Sequence, residues 1–162
     1  MKHTSVRPAD DIEVIMQMYG NKLFRLCLIT LGNAEDAEDA VQETLIKYLQ
    51  KAPKFADEEH KKAWLLKVAA NQCRDTLRFR KRHPVIAMEE IYEFTKEKTD
   101  SGIIDALMTL PEKYRMVLLL YYVEEYSVER IAKIIGRTGS AVKMRLQKGR
   151  RLLSEIYRKE FM

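Results

Sequence analysis

The sequence predicts an all-α protein of two small helical domains joined by a flexible acidic linker. Three observations lead there: helical periodicity is nearly continuous, strand-like alternation is scarce, and charge is segregated along the chain. With 162 residues the chain can bury a core in each domain. We place the domains at residues 8–83 and 101–160, with the linker at residues 84–100.

The N-terminal domain is predicted to form a three-helix-type bundle. The buried stripe of its first helix comprises Ile12, Ile15, Met16, Tyr19, Leu23 and Leu26. Gly32 can end this helix in a left-handed conformation, and Asn33 can cap the second helix. Pro53 then ends the second helix.

A third helix is predicted from near Asp57 to about Arg82, before Pro84 stops it. Its one polar stripe, at helical spacing, consists of Lys67, Asn71, Arg74, Arg78 and Lys81. A narrow basic stripe on an otherwise buried helix is suited to following the phosphates of a nucleic acid. Trp64 borders the stripe, and we expect most of its ring to pack in the core while its edge can stack on an unpaired base.

The second predicted helix carries a patch opposite its buried stripe. The patch consists of Asp39, Gln42, Glu43, Ile46 and Gln50. An apolar centre among acids and amides is typical of a protein-docking surface that selects a basic partner. A single exposed isoleucine is also common on ordinary surfaces, so both interpretations stay open.

The segment from Pro84 to Ser101 has weak periodicity and five acidic residues against two lysines, which predicts the linker. After it, "SGIIDALMTL" predicts a short helix and "TLPEKYRMVLLLYYV" a longer one. Thr109 and Glu112 have the spacing of a capping box, with Pro111 in the first turn.

The last two predicted helices form a helix-turn-helix. Ser127 caps the first, Gly136 provides the turn, and "RTGSAVKMRLQKGRRLL" follows. One side of the second helix is apolar: Val142, Leu146, Gly149 and Leu153. The remaining surface carries Lys143, Met144, Arg145, Gln147, Lys148, Arg150 and Arg151. Because no acidic residue precedes Glu155 in this helix, the surface is expected to bind a polyanion such as duplex DNA.

No combination of residues typical of a catalytic site is present. His3, His60 and His83 are widely separated, and there is no glycine-rich phosphate loop. Cys27 and Cys73 lack metal-ligand spacing, so we expect reduced, packed thiols, no metal ion and no cofactor. We therefore predict a binding protein rather than an enzyme. With no signal peptide and no run of 18 apolar residues, we expect no membrane insertion and a cytoplasmic location.

These surfaces together resemble a bacterial RNA polymerase sigma factor of the sigma-70 family, in the compact extracytoplasmic-function (ECF) group. "LFRLCLITLGNAEDAEDAVQETLIKYL" and "AWLLKVAANQCRDTLRFRKR" resemble region 2 of that family. "LPEKYRMVLLLYYVEEYSVERIAKIIGRTGSAVKMRLQKGRRLL" resembles region 4. The order of the segments is that of the family, and they cover most of residues 15–155.

The resemblance implies a role for each surface. Asp39, Gln42, Glu43 and Ile46 would dock on the coiled coil of the largest subunit of core RNA polymerase. Trp64, Asn71 and Arg74 would open the minus-ten promoter element, with an unstacked base captured beside the loop at residues 54–60. Lys143, Met144, Gln147 and Lys148 would read the minus-thirty-five element as duplex, while Arg145 and Arg150 would contact phosphates. An anti-sigma factor is a further partner that the family implies.

The sequence departs from the family at the start of the recognition helix. Where Pro, an acid and Gly-Thr are frequent, this chain has Thr138, Gly139, Ser140 and Ala141, so an acidic contact with cytosine is absent. Leu45 also replaces a frequent aromatic residue, which should affect packing only.

Two other functions remain compatible with the residues. A stand-alone helix-turn-helix regulator would bind duplex DNA by itself, but no dimerisation helix is evident, and the basic stripe and the acidic patch have no role in it. A protein-binding adaptor with incidental basic helices would bind its partner with little dependence on salt.

Overall fold

The computed structural model describes residues 9–79, 91–92 and 101–161, and the regular elements in these ranges are all helical. The all-α prediction is therefore confirmed. The N-terminal bundle consists of α1 (Ala9–Leu31), α2 (Ala34–Lys51) and α3 (Glu58–Phe79). The C-terminal domain consists of α4 (Ser101–Met108), α5 (Glu112–Leu118), α6 (Val128–Ile135) and α7 (Gly139–Phe161).

Three helix ends of the bundle lie where the sequence predicts them: the end of α1 and the starts of α2 and α3. The predicted end of α3 near Arg82 lies outside the described residues. Gly32 adopts a left-handed conformation (φ 81°) after α1. The side chain of Asn33 accepts a hydrogen bond of 2.9 Å from the amide of Asp36 at the start of α2. Asp57 accepts one of 2.8 Å from the amide of His60, which fixes the start of α3. Each side chain satisfies an amide that has no partner within its helix.

The buried stripe of α1 is predicted correctly except at Met16. Ile15, Leu23 and Leu26 are each at most 1% exposed, whereas Met16 is 42% exposed. Met16 lies beside Gly20 at the edge of a groove between α1 and α2. Its helical spacing is that of a buried residue, but neither α2 nor α3 covers this edge of the stripe.

The predicted capping box of α5 is wrong. The hydroxyl of Thr109 donates 2.7 Å to the carbonyl of Ala106 in the preceding helix, and Pro111 is the N-cap residue without a side-chain cap. Because α5 begins only at Glu112, Thr109 lies two residues before the cap and Glu112 occupies the first helical position. The prediction placed the cap too early.

The helix-turn-helix agrees with the sequence prediction. Ser127 accepts a hydrogen bond of 3.1 Å from the amide of Arg130, and Thr138 accepts one of 3.1 Å from the amide of Ala141. Between the helices Gly136 has φ 70°, a conformation that glycine adopts without strain. Val142 and Leu146 are buried, so α7 packs through its apolar side.

A π-helical turn at Leu119–Val123 extends α5, which the sequence did not predict. The amide of Glu124 donates 3.0 Å to the carbonyl of Leu119, five residues earlier. Glu125 follows with φ 62°, a left-handed conformation unusual for a residue with a side chain. The Glu124 side chain is 1% exposed and pairs with residues of the N-terminal bundle.

The two domains pack directly against each other. α6 contacts α3, α5 contacts α1, and the buried apolar residues of both domains form one continuous cluster. Most of the predicted linker lies outside the described residues, as do Lys81 and His83. Within the linker, Ile91 and Tyr92 are helical, and Ile91 is fully buried in the shared core.

Candidate nucleic-acid and partner interfaces

The predicted basic stripe lies on one side of α3, but its residues differ in exposure. Lys67, Asn71 and Arg78 are exposed, and Arg78 is 3.1 Å from the carboxylate of Asp75. Arg74 is half-buried, because its guanidinium donates 2.7 Å to the carbonyl of Ile135 at the end of α6 and also to the side chain of Asn71. The stripe is therefore open toward solvent at Lys67 and Arg78 and covered by the C-terminal domain at Arg74.

Two arginines of the C-terminal domain, Arg137 and Arg145, lie near Arg74 of α3. Burial and the neighbouring positive charges of Arg137 and Arg145 lower the pKa of Arg74. Burial and Arg137 likewise lower the pKa of Arg145. Residues from both predicted DNA-binding surfaces thus meet at the turn between α6 and α7.

Trp64 is half-buried in an aromatic cluster, as the sequence predicts for most of its ring. It contacts Tyr48 and Phe55 edge-on, with ring centroids 6.3 Å and 5.8 Å apart. Phe55 and Tyr48 are parallel at 6.4 Å. The loop before α3 is thereby fixed against the bundle.

An open cavity of about 520 Å³ lies beside this cluster. It is lined by Asp11, Tyr48, Lys54, Phe55, Asp57, Glu58 and Lys61. The half-buried ring of Phe55 offers a surface for stacking a base, while three carboxylates beside two lysines make the cavity unsuited to a phosphate. Trp64 does not line the cavity and supports the rings that do.

On α7, six of the seven predicted contact residues are exposed, and Met144 is 69% exposed. The exposed residues are Lys143, Met144, Gln147, Lys148, Arg150 and Arg151. Arg145 is half-buried beside Arg137. The guanidinium of Arg150 donates 3.1 Å to the hydroxyl of Tyr122, and Arg151 is 3.6 Å from Glu155.

The predicted docking patch on α2 is largely exposed. Asp39, Gln42 and Ile46 face solvent, with Ile46 43% exposed, and Glu43 is half-buried. Beside the patch lies the groove between α1 and α2, of about 420 Å³, which sequence reasoning missed. Its lining residues are Met16, Gly20, Asn21, Phe24, Ala34, Glu38, Val41, Gln42 and Leu45. Met16 and Gly20, one helical turn apart, were the available signal.

Sequence reasoning also missed the residues that join the two domains. Arg115 donates hydrogen bonds of 2.7 Å and 2.6 Å to the carbonyls of Ile29 and Thr30 at the end of α1. Burial lowers the pKa of Arg115. Arg25 pairs with Glu124 at 2.7 Å. Arg115 and Glu124 stand in an otherwise apolar segment, which indicates that each is buried with a partner. The sequence does not indicate which residue that partner is.

Comparison with known proteins identifies the family to which this chain belongs. The chain matches the family descriptions "Sigma-70 region 2" over residues 15–83 and "Sigma-70, region 4" over residues 102–153. It is 31% identical over 134 residues to RNA polymerase sigma factor SigV of Bacillus subtilis, covering 80% of this chain and 81% of the relative. The chain belongs to the sigma-70 family. Sigma factors are regulatory DNA-binding proteins rather than enzymes.

Further relatives assign the sigma factor to the ECF group. It is 28% identical over 165 residues to ECF sigma factor SigW of Bacillus subtilis, with 89% of this chain and 87% of the relative covered. It is 27% identical over 146 residues to ECF sigma factor SigM of Mycobacterium tuberculosis H37Rv, with 88% and 74% covered.

Solved structures share the fold of this sigma factor. CnrH, in complex with the cytosolic domain of CnrY, superposes with a TM-score of 0.70 at 21% identity, over 94% of this chain and 91% of that one. Sigma factor RpoE of Bartonella quintana, in complex with the anti-sigma factor NepR, also superposes with a TM-score of 0.70. It is 20% identical, and the match covers 94% of this chain and 99% of that one.

No helix in the described ranges combines the length and apolar character needed to cross a bilayer. Among the same residues, no three histidine, cysteine or acidic side chains are grouped so as to hold a metal ion.

Proposed function

We propose that this sigma factor binds core RNA polymerase and directs initiation at promoters with two spaced elements. The observation that carries the proposal is the presence of both family regions in order, each with exposed basic residues on one helix: α3 in region 2 and α7 in region 4. In this role the chain acts in the cytoplasm with the polymerase.

Region 2 docks on the polymerase through α2. Ile46 supplies apolar burial, while Asp39, Gln42 and Glu43 select a basic partner helix. The neighbouring groove along Met16 and Phe24 extends the apolar part of this surface.

Region 2 also melts the minus-ten element. Lys67, Arg74, Arg78 and Lys81 hold the single-strand backbone, and Asn71 contacts a base edge. An unstacked base enters the cavity and stacks on the half-buried ring of Phe55, and such stacking contributes about 1–3 kcal/mol per base. This gain offsets part of the stacking lost when the duplex opens.

Region 4 reads the minus-thirty-five element with the exposed side of α7. Lys143, Met144, Gln147 and Lys148 reach base edges in the major groove. Arg145, Arg150 and Arg151 bind phosphates, and Tyr122 orients Arg150 through their hydrogen bond. With Gly139 and Ser140 at the helix start, the upstream sequence preference differs from that of relatives with an acid there.

An anti-sigma factor is the second protein partner that we propose. The similar RpoE structure contains the anti-sigma factor NepR. A partner of this kind would cover the docking patch on α2 and the basic side of α7.

The test is abortive transcription by purified bacterial core polymerase on a genomic promoter library, with and without the protein. We expect protein-dependent initiation at sites that share two spaced elements. Asn71→Ala should weaken the response to the downstream element and Lys148→Ala the response to the upstream one. Lys133→Ala, an exposed lysine on α6, is the matched control and should behave as wild type.

Absence of initiation, together with tight duplex binding by the protein alone, would contradict the proposal and favour a stand-alone helix-turn-helix regulator. Binding that is insensitive to salt would favour a protein adaptor instead.

A further inference from the structure

One apolar side chain projects from the DNA-facing side of α7. Met144, in the second turn of the helix, is 69% exposed, more than any other large apolar residue within residues 139–159. At helical spacing it lies opposite Val142 and Leu146, both of which are buried. Met144 therefore points away from the domain, at the centre of the surface assigned above to the major groove.

The residues around Met144 on this side are polar or basic. Ser140 precedes it by one turn, Lys148 follows it by one turn, and Gln147 follows it by three residues; each is exposed. Lysine binds the N7 and O6 atoms of guanine, glutamine binds the N6 and N7 atoms of adenine, and serine binds either kind of base edge. The thioether of methionine donates no hydrogen bond and accepts only weakly, so Met144 cannot recognise a base in this way.

The 5-methyl group of thymine is the apolar group that a base presents in the major groove. Placed against a purine, the Met144 side chain would displace water from N7 and from O6 or N6 without replacing its hydrogen bonds, which costs free energy. Placed against a thymine methyl, two apolar groups leave water together, which is favourable. The unbranched methionine chain is flexible and adapts to such a contact. The chemistry of this position therefore favours thymine.

We propose that Met144 is a specificity-determining residue, which selects a thymine in the upstream element through contact with its 5-methyl group. This inference rests on the proposed function, which assigns α7 to that element. Met144 and Lys148 are one turn apart, which is about 6 Å along the helix axis. Since successive base pairs are about 3.4 Å apart, the selected thymine lies within about two base pairs of the pair that Lys148 contacts.

An apolar contact differs from the neighbouring basic contacts in size and in salt dependence. Loss of one buried methyl group corresponds to about a fourfold loss of affinity. Because the contact neutralises no phosphate, its removal leaves the salt dependence of binding unchanged. Removal of a phosphate contact, as in Arg151→Ala, reduces the slope of log affinity against log salt concentration by about 1.

Replacement of thymine by deoxyuridine tests the proposal, because it removes the methyl group and keeps every hydrogen-bonding group of the base. Each thymine of the upstream element, on both strands of a promoter from the genomic library, is replaced singly. Abortive transcription with core polymerase gives the half-saturating promoter concentration for wild type, Met144→Ala and Met144→Leu. Met18→Ala, at a 52% exposed methionine of α1, is the matched control. A second measurement uses the full chain alone, at several salt concentrations, on a duplex that it selects from a random pool.

For wild type and Met18→Ala we expect one thymine whose replacement weakens binding about fourfold. Met144→Ala should bind the thymine duplex about as weakly as wild type binds the deoxyuridine duplex, with no further loss on replacement and no change in salt dependence. This variant should fold, because the position is exposed and alanine favours a helix. Met144→Leu should keep most of the methyl effect, since its side chain is also apolar.

Equal sensitivity of wild type and Met144→Ala to every replacement would overturn the proposal, as would an upstream element without an A·T pair. The two proposals fail in different ways. If core polymerase gives no protein-dependent initiation, but the chain alone binds duplex with a methyl effect that Met144→Ala abolishes, thymine selection stands and the sigma function is wrong. If initiation depends on two elements and no replacement distinguishes the variant from wild type, the reverse holds.

Discussion

At the residue scale, Arg115 joins the two regions through partners that composition and spacing did not identify. Its guanidinium donates to carbonyls of both regions: those of Ile29 and Thr30 at the end of α1, and that of Leu110 before α5. The last carbonyls of a helix have no partner within it, so an arginine from region 4 completes a helix of region 2.

We predict that Arg115→Ala lowers the free energy of unfolding by about 3 kcal/mol, because charged hydrogen bonds are lost and buried carbonyls remain unsatisfied. Arg115→Lys should cost less but not be neutral, since an ammonium lacks the planar fork that spans two carbonyls. Urea unfolding followed by circular dichroism measures both. Arg158→Ala, an exposed arginine on α7, is the control, and an equal loss there would contradict the prediction.

Tyr19 links α1 to the start of α3, since its hydroxyl donates to the carboxylate of Glu58. Burial, followed by Glu58, raises the pKa of Tyr19. As pH rises, the Tyr19 hydroxyl therefore loses its proton in the unfolded chain before it does so in the folded one. Its contribution to the free energy of unfolding is complete below pH about 10 and is lost as pH rises further.

Tyr19→Phe should accordingly lower the free energy of unfolding by about 1 kcal/mol near neutral pH. Above pH about 10 the difference from wild type should shrink. Urea unfolding of both proteins across this pH range is the measurement, and the difference between them removes the effect of titrating lysines. A difference that grows with pH would refute the assignment.

At the element scale, the turn of the helix-turn-helix depends on the left-handed conformation of Gly136. A Cβ atom added there would meet no atom within 4 Å, so the cost of substitution comes from the backbone alone. We predict that Gly136→Ala destabilises region 4 by about 1 kcal/mol. Gly136→Asn should cost less, because asparagine tolerates this conformation. Thermal unfolding ranks the variants, and equal costs would point to a steric cause instead.

Local elements were the part of the fold that could be predicted. The caps at Asn33 and Ser127 depend on residues within three positions, and both form as expected. The π-helical turn was not predictable, because Leu119–Val123 reads as ordinary apolar helix and its extra residue per turn precedes the buried Glu124. The predicted cap of α5 was wrong because Thr109 and Pro111, two residues apart, could each have preceded the helix.

At the scale of the whole molecule, the sequence indicated the surfaces but not their arrangement. The periodicity of α3 and α7 predicted which residues face outward, yet Arg74 is half-buried because another region covers it. Arg145 is half-buried as well. Such contacts join residues far apart in the chain, such as Arg74 and Ile135, and no local pattern identifies the pair. The assignment of each surface to DNA or polymerase remains a prediction.

The contact between Arg115 and α1 also bears on synthesis of the chain. Arg115 follows Ile29 by 86 residues. At 5–20 residues per second, a ribosome needs roughly 4 to 17 s to make that stretch. For that interval the carbonyls of Ile29 and Thr30 lack the arginine that binds them in the folded chain, so this end of α1 is completed only after region 4 is made.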